Sequence, residues 1–374
     1  MDKFRRSIFT NPAANRFNFT CYDIPLQIER FHQSLPAYHP SPLVPLEELA
    51  QELGVKKVFI KNESSRLGLP SFKILGASWA IYSTISTKLG LSDPSLEQLR
   101  QAASQTSIRL FSATDGNHGR AVAYMAKLLG LSAEIFVPQH LDKNTQDLIA
   151  GEGARVIAVD GSYDDAIYEA LDASKLVEDG VFMQDTSFED YETIPSQIVQ
   201  GYSTMLREID QQLGQLGLDP TVFVSPVGVG SLCQAVVSRA KANGRSGRVL
   251  AVEPHTAACL HQCLTLGHIL PLSTSATIMN GMECGTVSRL AWPILSAGVD
   301  TSVTISDFEC HLAVEYLKAR NIDIGPCGAA GLAGLRRVAS SNPESIGLCP
   351  DSVIVILGTE GPRPYPIPKE VILP

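Results

Sequence analysis

The sequence predicts an α/β chain of two lobes, each a mostly parallel, twisted sheet covered by helices. Three observations lead there. From Val58 onward, short β-branched or apolar runs alternate with helical patterns, the signature of parallel strands joined by crossover helices. Three turns rich in small residues each stand between an extended run and a helix. At 374 residues the chain is also long for one hydrophobic core.

The extended runs are Val58–Lys61, Ile108–Ser112, Ala133–Val137, Arg155–Val159, Val222–Ser225, Val249–Glu253 and Val353–Leu357. Right-handed crossovers place the loops that follow such strands along one edge, where ligands bind in open α/β sheets. The expected division is discontinuous: residues 88–192 form a small mobile α/β domain, and residues 1–87 with 193–374 form a larger one. Leu91–Ser95 reads as a surface insertion, and the proline-rich tail from Pro362 to Pro374 as extended chain. There is no internal repeat and no low-complexity tract.

The first turn ends in Ser71-Phe72-Lys73-Ile74-Leu75-Gly76-Ala77, where a lysine opens an apolar helix running to Ile81. Backbone dipoles at a helix start oppose extra positive charge, which favours the neutral amine. A neutral lysine amine forms a Schiff base with an aldehyde. Taken alone, Lys73 reads more readily as a surface lysine, and its weight comes from the other two turns.

The second turn, Ser112-Ala113-Thr114-Asp115-Gly116-Asn117-His118-Gly119-Arg120, leads into a helical pattern from Ala121 to Leu129. Small residues let backbone N–H groups approach a ligand, and a helix start favours an anion. Asn117 can donate to a phenolate oxygen. The competing reading is a polar turn with Asp115 as N-cap; His118 and Arg120 in the same turn favour a functional one.

The third turn, Ser225-Pro226-Val227-Gly228-Val229-Gly230-Ser231-Leu232, precedes a helix with apolar positions at Leu232, Ala235, Val236 and Ala240. Glycines at a helix N-terminus form a phosphate cradle. No Gly-Lys-Ser/Thr follows, so this is not a Walker loop, and the third glycine of a dinucleotide fingerprint is missing. An aldehyde-binding lysine, a phenolate donor and a phosphate cradle together point to pyridoxal 5′-phosphate (PLP).

Composition excludes other classes. Apolar content of 44% with 18% charged residues describes a globular chain, and a net charge of −9 argues against nucleic-acid binding. No apolar run is long enough to span a bilayer. Met1–Arg6 has no signal-peptide apolar core behind it, so cytoplasm is expected. The 8 cysteines include no Cys-x-x-Cys pair and read as free thiols. Cys259, His261, Cys263 and His268 lie in or near a predicted helix from Ala257 to Leu266, on which His261 points away from the two cysteines. No metal site is expected.

The run Lys61-Asn62-Glu63-Ser64-Ser65-Arg66-Leu67-Gly68-Leu69-Pro70-Ser71-Phe72-Lys73-Ile74-Leu75-Gly76-Ala77 resembles the PLP-lysine motif of the diaminopropionate ammonia-lyases, which are fold type II PLP enzymes of the tryptophan synthase β-subunit kind. Thr114-Asp115-Gly116-Asn117-His118-Gly119-Arg120 is the more diagnostic match, because the dehydratase branch has a neutral residue where Asp115 stands. Gln184-Asp185-Thr186, Met279–Ser288 and Ala291-Trp292-Pro293 extend the likeness, which runs from Tyr38 to Gly361.

The resemblance implies that Lys73 carries the cofactor beside Phe72, Asn117 contacts its 3′-oxygen, Gly228, Val229, Gly230, Ser231 and Leu232 bind its phosphate, and Thr359 faces its ring nitrogen. Asp115, His118, Tyr163 and Asp185 would face an amino-acid substrate. The implied reaction is α,β-elimination of 2,3-diaminopropionate to pyruvate and two ammonia, in a homodimer. Lys73 and Asp115 would serve as bases on opposite faces, which allows both enantiomers to react. Asn62, Glu283 and Cys327 depart from the family pattern, and Glu283 bears on which amino acid fits. A serine or threonine dehydratase-like or other β-eliminating or β-replacing enzyme, and a non-catalytic PLP-binding protein, stay open as alternatives. A nicotinamide-dependent oxidoreductase stands further off.

Overall fold

The computed structural model describes residues 6–19, 25–139 and 141–369. Its strands are β1 (Phe9–Thr10), β2 (Leu43–Pro45), β3 (Lys57–Asn62), β4 (Arg109–Ala113), β5 (Ser132–Pro138), β6 (Arg155–Val159), β7 (Gly180–Phe182), β8 (Val222–Pro226), β9 (Arg248–Pro254), β10 (Thr301–Ile305) and β11 (Val353–Gly358). They form a seven-stranded sheet of order β1-β10-β9-β8-β11-β3-β2 and a four-stranded sheet of order β6-β5-β4-β7. All seven runs anticipated from the sequence are strands, with ends differing by a residue.

The smaller sheet is parallel throughout. The larger is parallel except at its two edges, where β1 runs antiparallel to β10 and β2 to β3. Both edge strands are short, and neither was legible in the sequence. Every residue of β8, β10 and β11 is buried, as expected of strands covered on both faces. Register brings Gly358 of β11 level with Asn62 of β3, and Ile356 level with Val224 of β8. The loops after β3, β8 and β11 therefore leave from neighbouring points on one edge.

The helix Lys73–Lys88 links the two sheets. Its Ile74, Leu75 and Ile81 share one apolar core with Val122 and Ile135 on one side and Phe223 and Val236 on the other. It crosses the helix Thr193–Gly201 almost backbone to backbone: a Cβ at Gly76 would lie 2.7 Å from Ile198 Cγ2, and one at Gly201 2.4 Å from the Leu75 oxygen. A second core fills the space under the helices Asp307–Lys318 and Pro326–Ser341. A third, around Phe111, Phe136 and Ile167, covers the outer face of the four-stranded sheet.

The segment 91–95 joins two helices at the surface, and Ser95 caps the second in a reciprocal box with Gln98. The tail from 362 to 369 has no helix or strand; residues 370–374, the N-terminal Met1–Arg5 and Cys21 lie outside the described residues. The seven described cysteines are free thiols. The predicted helix at Ala257 begins at Cys259. There His261 Nδ1 meets Ser302 Oγ at 3.0 Å, and Cys263 Sγ accepts from the Leu270 N–H at 3.4 Å. Among the described residues no helix is long and apolar enough to cross a membrane.

Candidate active site

Lys73 is the first residue of its helix, and its approach is built on buried charge. Arg66, fully buried, donates to Glu63 at 2.6 Å and to both oxygens of Glu208 at 2.7 Å. Lys61 Nζ donates to Glu208 at 2.7 Å and to the Ser41 oxygen at 2.8 Å. Each ion is thereby paired and hydrogen-bonded, the condition under which buried charge is tolerated. The chain then reverses through Leu67 and Gly68, both at positive φ, closed by reciprocal Arg66–Leu69 backbone bonds. Finally Ser71 Oγ accepts the Lys73 N–H at 3.2 Å, and the Phe72 N–H reaches the Thr359 oxygen at 3.3 Å.

A cavity of about 1000 Å³ opens where the carboxyl ends of both sheets face each other. Every residue that the sequence nominated lines it: Phe72 and Lys73; Asp115, Asn117 and His118; Tyr163; Asp185; Gly228, Val229, Gly230, Ser231 and Leu232; and Thr359.

Lys73 Nζ makes an ion pair with the buried Asp185 carboxylate. Burial opposes the charge on the amine, but Asp185 outweighs it and lifts the amine above its ordinary value. This corrects the expectation that the helix start keeps the amine neutral: a carboxylate in direct contact outweighs partial backbone charges. Burial likewise opposes the Asp185 charge, and Lys73 with His118 holds that carboxyl below the usual range.

The second turn is tied by Thr114, whose Oγ1 accepts from the N–H groups of Gly116 at 2.9 Å and Gly119 at 3.0 Å. Gly116, at φ 144°, is the N-cap of the helix Asn117–Leu129. Asp115 is therefore not the cap, which removes its local structural role. Burial, then the carboxylates of Glu283, Asp164 and Asp185, push its carboxyl up to about 8, against Arg363. His118 Nε2 lies 3.0 Å from the Met183 oxygen, and burial lowers the pKa of the ring against the pull of Asp185. Gln184 joins three elements: it accepts from the Ala113 N–H at 3.1 Å and donates to Tyr163 Oη at 2.7 Å.

The third turn enters the helix Ser231–Ala240 through Gly230 at φ 100°. A Cβ there would stand 2.7 Å from Leu295 Cδ1, and one at Gly228 3.1 Å from both Cys284 Sγ and the Gly281 oxygen. Glycine is favoured at this close-packed helix entry, which lines the cavity. An amine, an anion cradle and the polar groups of Asn117 and Thr359 within one cavity suit an aldehyde, a phosphate and a polar aromatic ring. The residues fit PLP.

Sequence reasoning missed several lining residues. Glu360, next to Thr359, accepts from Asn117 Nδ2 at 3.0 Å and from the Cys327 N–H at 3.0 Å. Its only signal was an acidic residue at a strand end. Arg363 and Tyr365 bring the tail against the cavity, and Asp142 and Thr145 line it from the helix side of the smaller sheet. Of the departures from the family pattern, Cys327 lines the cavity, as does Cys284. Asn62 caps a turn instead, accepting from the Ser64 N–H at 3.0 Å. Glu283 is the leading charged influence on Asp115.

The family model described as "Pyridoxal-phosphate dependent enzyme" matches residues 35–358. The chain is 32% identical to a diaminopropionate ammonia-lyase of Escherichia coli strain K12, over 92% of this chain and 89% of that one. It is 35% identical to the Salmonella typhimurium enzyme of the same name, over 77% and 73%. A crystal structure of the E. coli enzyme in complex with an aminoacrylate-PLP azomethine reaction intermediate superposes with a TM-score of 0.85 at 30% identity, covering 95% of this chain and 93% of that one. The chain belongs to the pyridoxal-phosphate dependent enzymes of fold type II, in the family of the diaminopropionate ammonia-lyases.

Proposed function

We propose that this chain is a PLP-dependent carbon–nitrogen lyase that converts 2,3-diaminopropionate and water to pyruvate and two ammonia. The observation that carries the reading is the meeting of Lys73, Asp115 and Asp185 in one cavity beside a glycine cradle. A substrate with two ammonium groups suits a site with two carboxylates, since paired charges offset desolvation. When bound, PLP supplies an electron sink for the carbanion at Cα.

The chain's own residues do the rest. Gly228 to Leu232 would hold the phosphate, Asn117 would donate to the 3′-oxygen, and the Thr359 hydroxyl would face the ring nitrogen. Thr359 is neutral and would not keep that nitrogen protonated as a carboxylate would. Lys73 holds the cofactor and, once its amine is free, takes the Cα proton. Asp115 is a second base from a different element, so both stereoisomers can be deprotonated. Asp185, His118 and Tyr163 face the substrate.

The same resemblance supports a cytoplasmic homodimer and movement of residues 88–192 as a small domain against 1–87 and 193–374. Sedimentation of the purified protein checks the first, and small-angle scattering with and without substrate the second. The decisive experiment compares keto-acid release from L- and D-diaminopropionate with L-serine and L-threonine. The diamino acid is the expected best substrate, and a preference for serine or threonine overturns the assignment. Lys73→Ala is expected to abolish both cofactor colour and turnover; normal pyruvate release by that variant overturns the mechanism.

A further inference from the structure

We propose that Glu360 is a positioning residue that sets the orientation of the Asn117 amide toward the cofactor, an inference that rests on the PLP reading above. Glu360 follows β11 and Thr359 and is 5% exposed. Its two carboxylate oxygens serve different parts of the molecule. Oε1 accepts the Cys327 N–H at 3.0 Å, within the first turn of the 16-residue helix Pro326–Ser341. That N–H is one of the donors a helix start leaves unpaired, and the positive end of the helix favours a carboxylate there. Oε2 accepts from Asn117 Nδ2 at 3.0 Å, at the start of a helix packed on the other sheet.

Little room exists for Glu360 to shift. A Cβ at Gly325 would lie 3.0 Å from Oε1, and one at Gly328 3.2 Å from the Glu360 nitrogen. Arg363 Nε stands 3.8 Å from Oε1.

A carboxylate only accepts. It therefore selects the amide orientation in which Asn117 presents Nδ2 to it, and rejects the flipped one. An amide nitrogen carries two N–H bonds. With one spent on Glu360, the second remains for an oxygen of a bound ligand, and its direction is set by the first. Glutamine in place of Glu360 would still offer Oε1 to the Cys327 N–H, but would turn an N–H donor toward Asn117 and favour the flipped amide.

The test uses holoenzyme and reads the pH at which the bound cofactor's visible absorption changes. An N–H donated to the ring oxygen stabilises negative charge on it, so losing that donor raises the transition pH. Asn117→Ala is expected to shift the transition upward by about half a unit or more. Glu360→Gln and Glu360→Ala are expected to shift it in the same direction. The double variant Glu360→Ala with Asn117→Ala is expected to shift no further than Asn117→Ala alone, because the two act through one bond.

Wild-type titration in the Glu360→Gln protein, or shifts that add in the double variant, overturns the proposal. Should Glu360→Ala fail to fold, the isosteric Glu360→Gln decides alone. A wild-type chain that takes up no PLP would instead overturn the reading beneath it.

Discussion

The Lys73 ammonium rests on the Asp185 carboxylate, 112 positions away in sequence, which comes from the loop after β7 of the other sheet. The contact does two things. It balances a charge that burial alone would suppress, and it leaves a carboxylate beside the amine to receive a proton.

Asp185→Asn should therefore lower the pKa of the Lys73 amine, because desolvation then acts unopposed by its main partner. Uptake of PLP by the apoprotein needs the neutral amine. Its pH profile, followed by absorbance, is expected to move toward lower pH by about one unit or more. If Asp185 also holds the second ammonium of the substrate, KM for diaminopropionate rises about tenfold or more in the same variant, the loss of one charge-assisted contact. An unchanged uptake profile would show that another group sets the charge on Lys73.

Asp115 makes the opposite case, a carboxyl pushed up to about 8 by burial and by neighbouring carboxylates. A base must be ionised, so its contribution grows as pH rises through that value. The ratio of kcat/KM between wild type and Asp115→Asn cancels titration of the substrate itself. For D-diaminopropionate that ratio is expected to rise about tenfold per pH unit and level off above about 8. For the L isomer, deprotonated by Lys73, the ratio should stay flat.

Stability gives an independent reading of the same group. The folded value lies above the ordinary carboxyl value of 3.8, so the neutral form favours folding. Its stabilising contribution is complete below about 3.8 and is lost as pH rises toward about 8. Asp115→Asn should raise Tm more at pH near 8 than at pH near 4.

The central strands and the three ligand-bearing turns were legible because each combines a β-branched run with a turn and a helix start, all local in sequence. Edge strands β1 and β2 escaped because they are only two and three residues long and owe their existence to the neighbour they pair with. Strand β10, Thr-Ser-Val-Thr-Ile, was not anticipated, since three of its five residues carry hydroxyls; pairing between β1 and β9 buries it as a strand. Lys73 and Asp115 could be named, but their charge states could not. Those depend on Asp185 and Glu283, which only the fold brings near. Glu360 was hidden for the same reason, since its partners Asn117 and Cys327 are 243 and 33 positions away.

The glycine turn should tolerate little. Gly230→Ala forces a side chain into φ 100° and places a Cβ 2.7 Å from Leu295 Cδ1. The backbone cost is about 1–3 kcal/mol. Leu295 ends in a flexible branch and can give way, so the variant is expected to fold with a lowered Tm. The reoriented N–H groups should weaken PLP binding about tenfold or more, read by fluorescence titration of the apoprotein. Unaltered affinity would place the phosphate elsewhere.

The last prediction concerns the foundation of Lys73 rather than its chemistry. Glu208 neutralises Lys61 and Arg66 at once, and none of the three lines the cavity. Burial works against the Glu208 charge, but hydrogen bonds from Arg66, then the charges of Arg66 and Lys61, hold its carboxyl below the usual range. Glu208→Gln keeps the shape and strands two buried cations, one of which, Arg66, retains Glu63. Urea unfolding is expected to show a loss of about 3–5 kcal/mol. The sign with pH follows from the lowered value. Stabilisation by Glu208 is present above its unfolded pKa and is lost as pH falls through the folded one, so wild type should lose stability in acid more steeply than Glu208→Gln. Because Arg66 also braces the turn at Leu67 and Gly68, the variant should retain PLP less well despite an intact cavity wall. Equal stability of the two proteins at neutral pH would mean that the Glu208 charge contributes nothing to the stability of the fold.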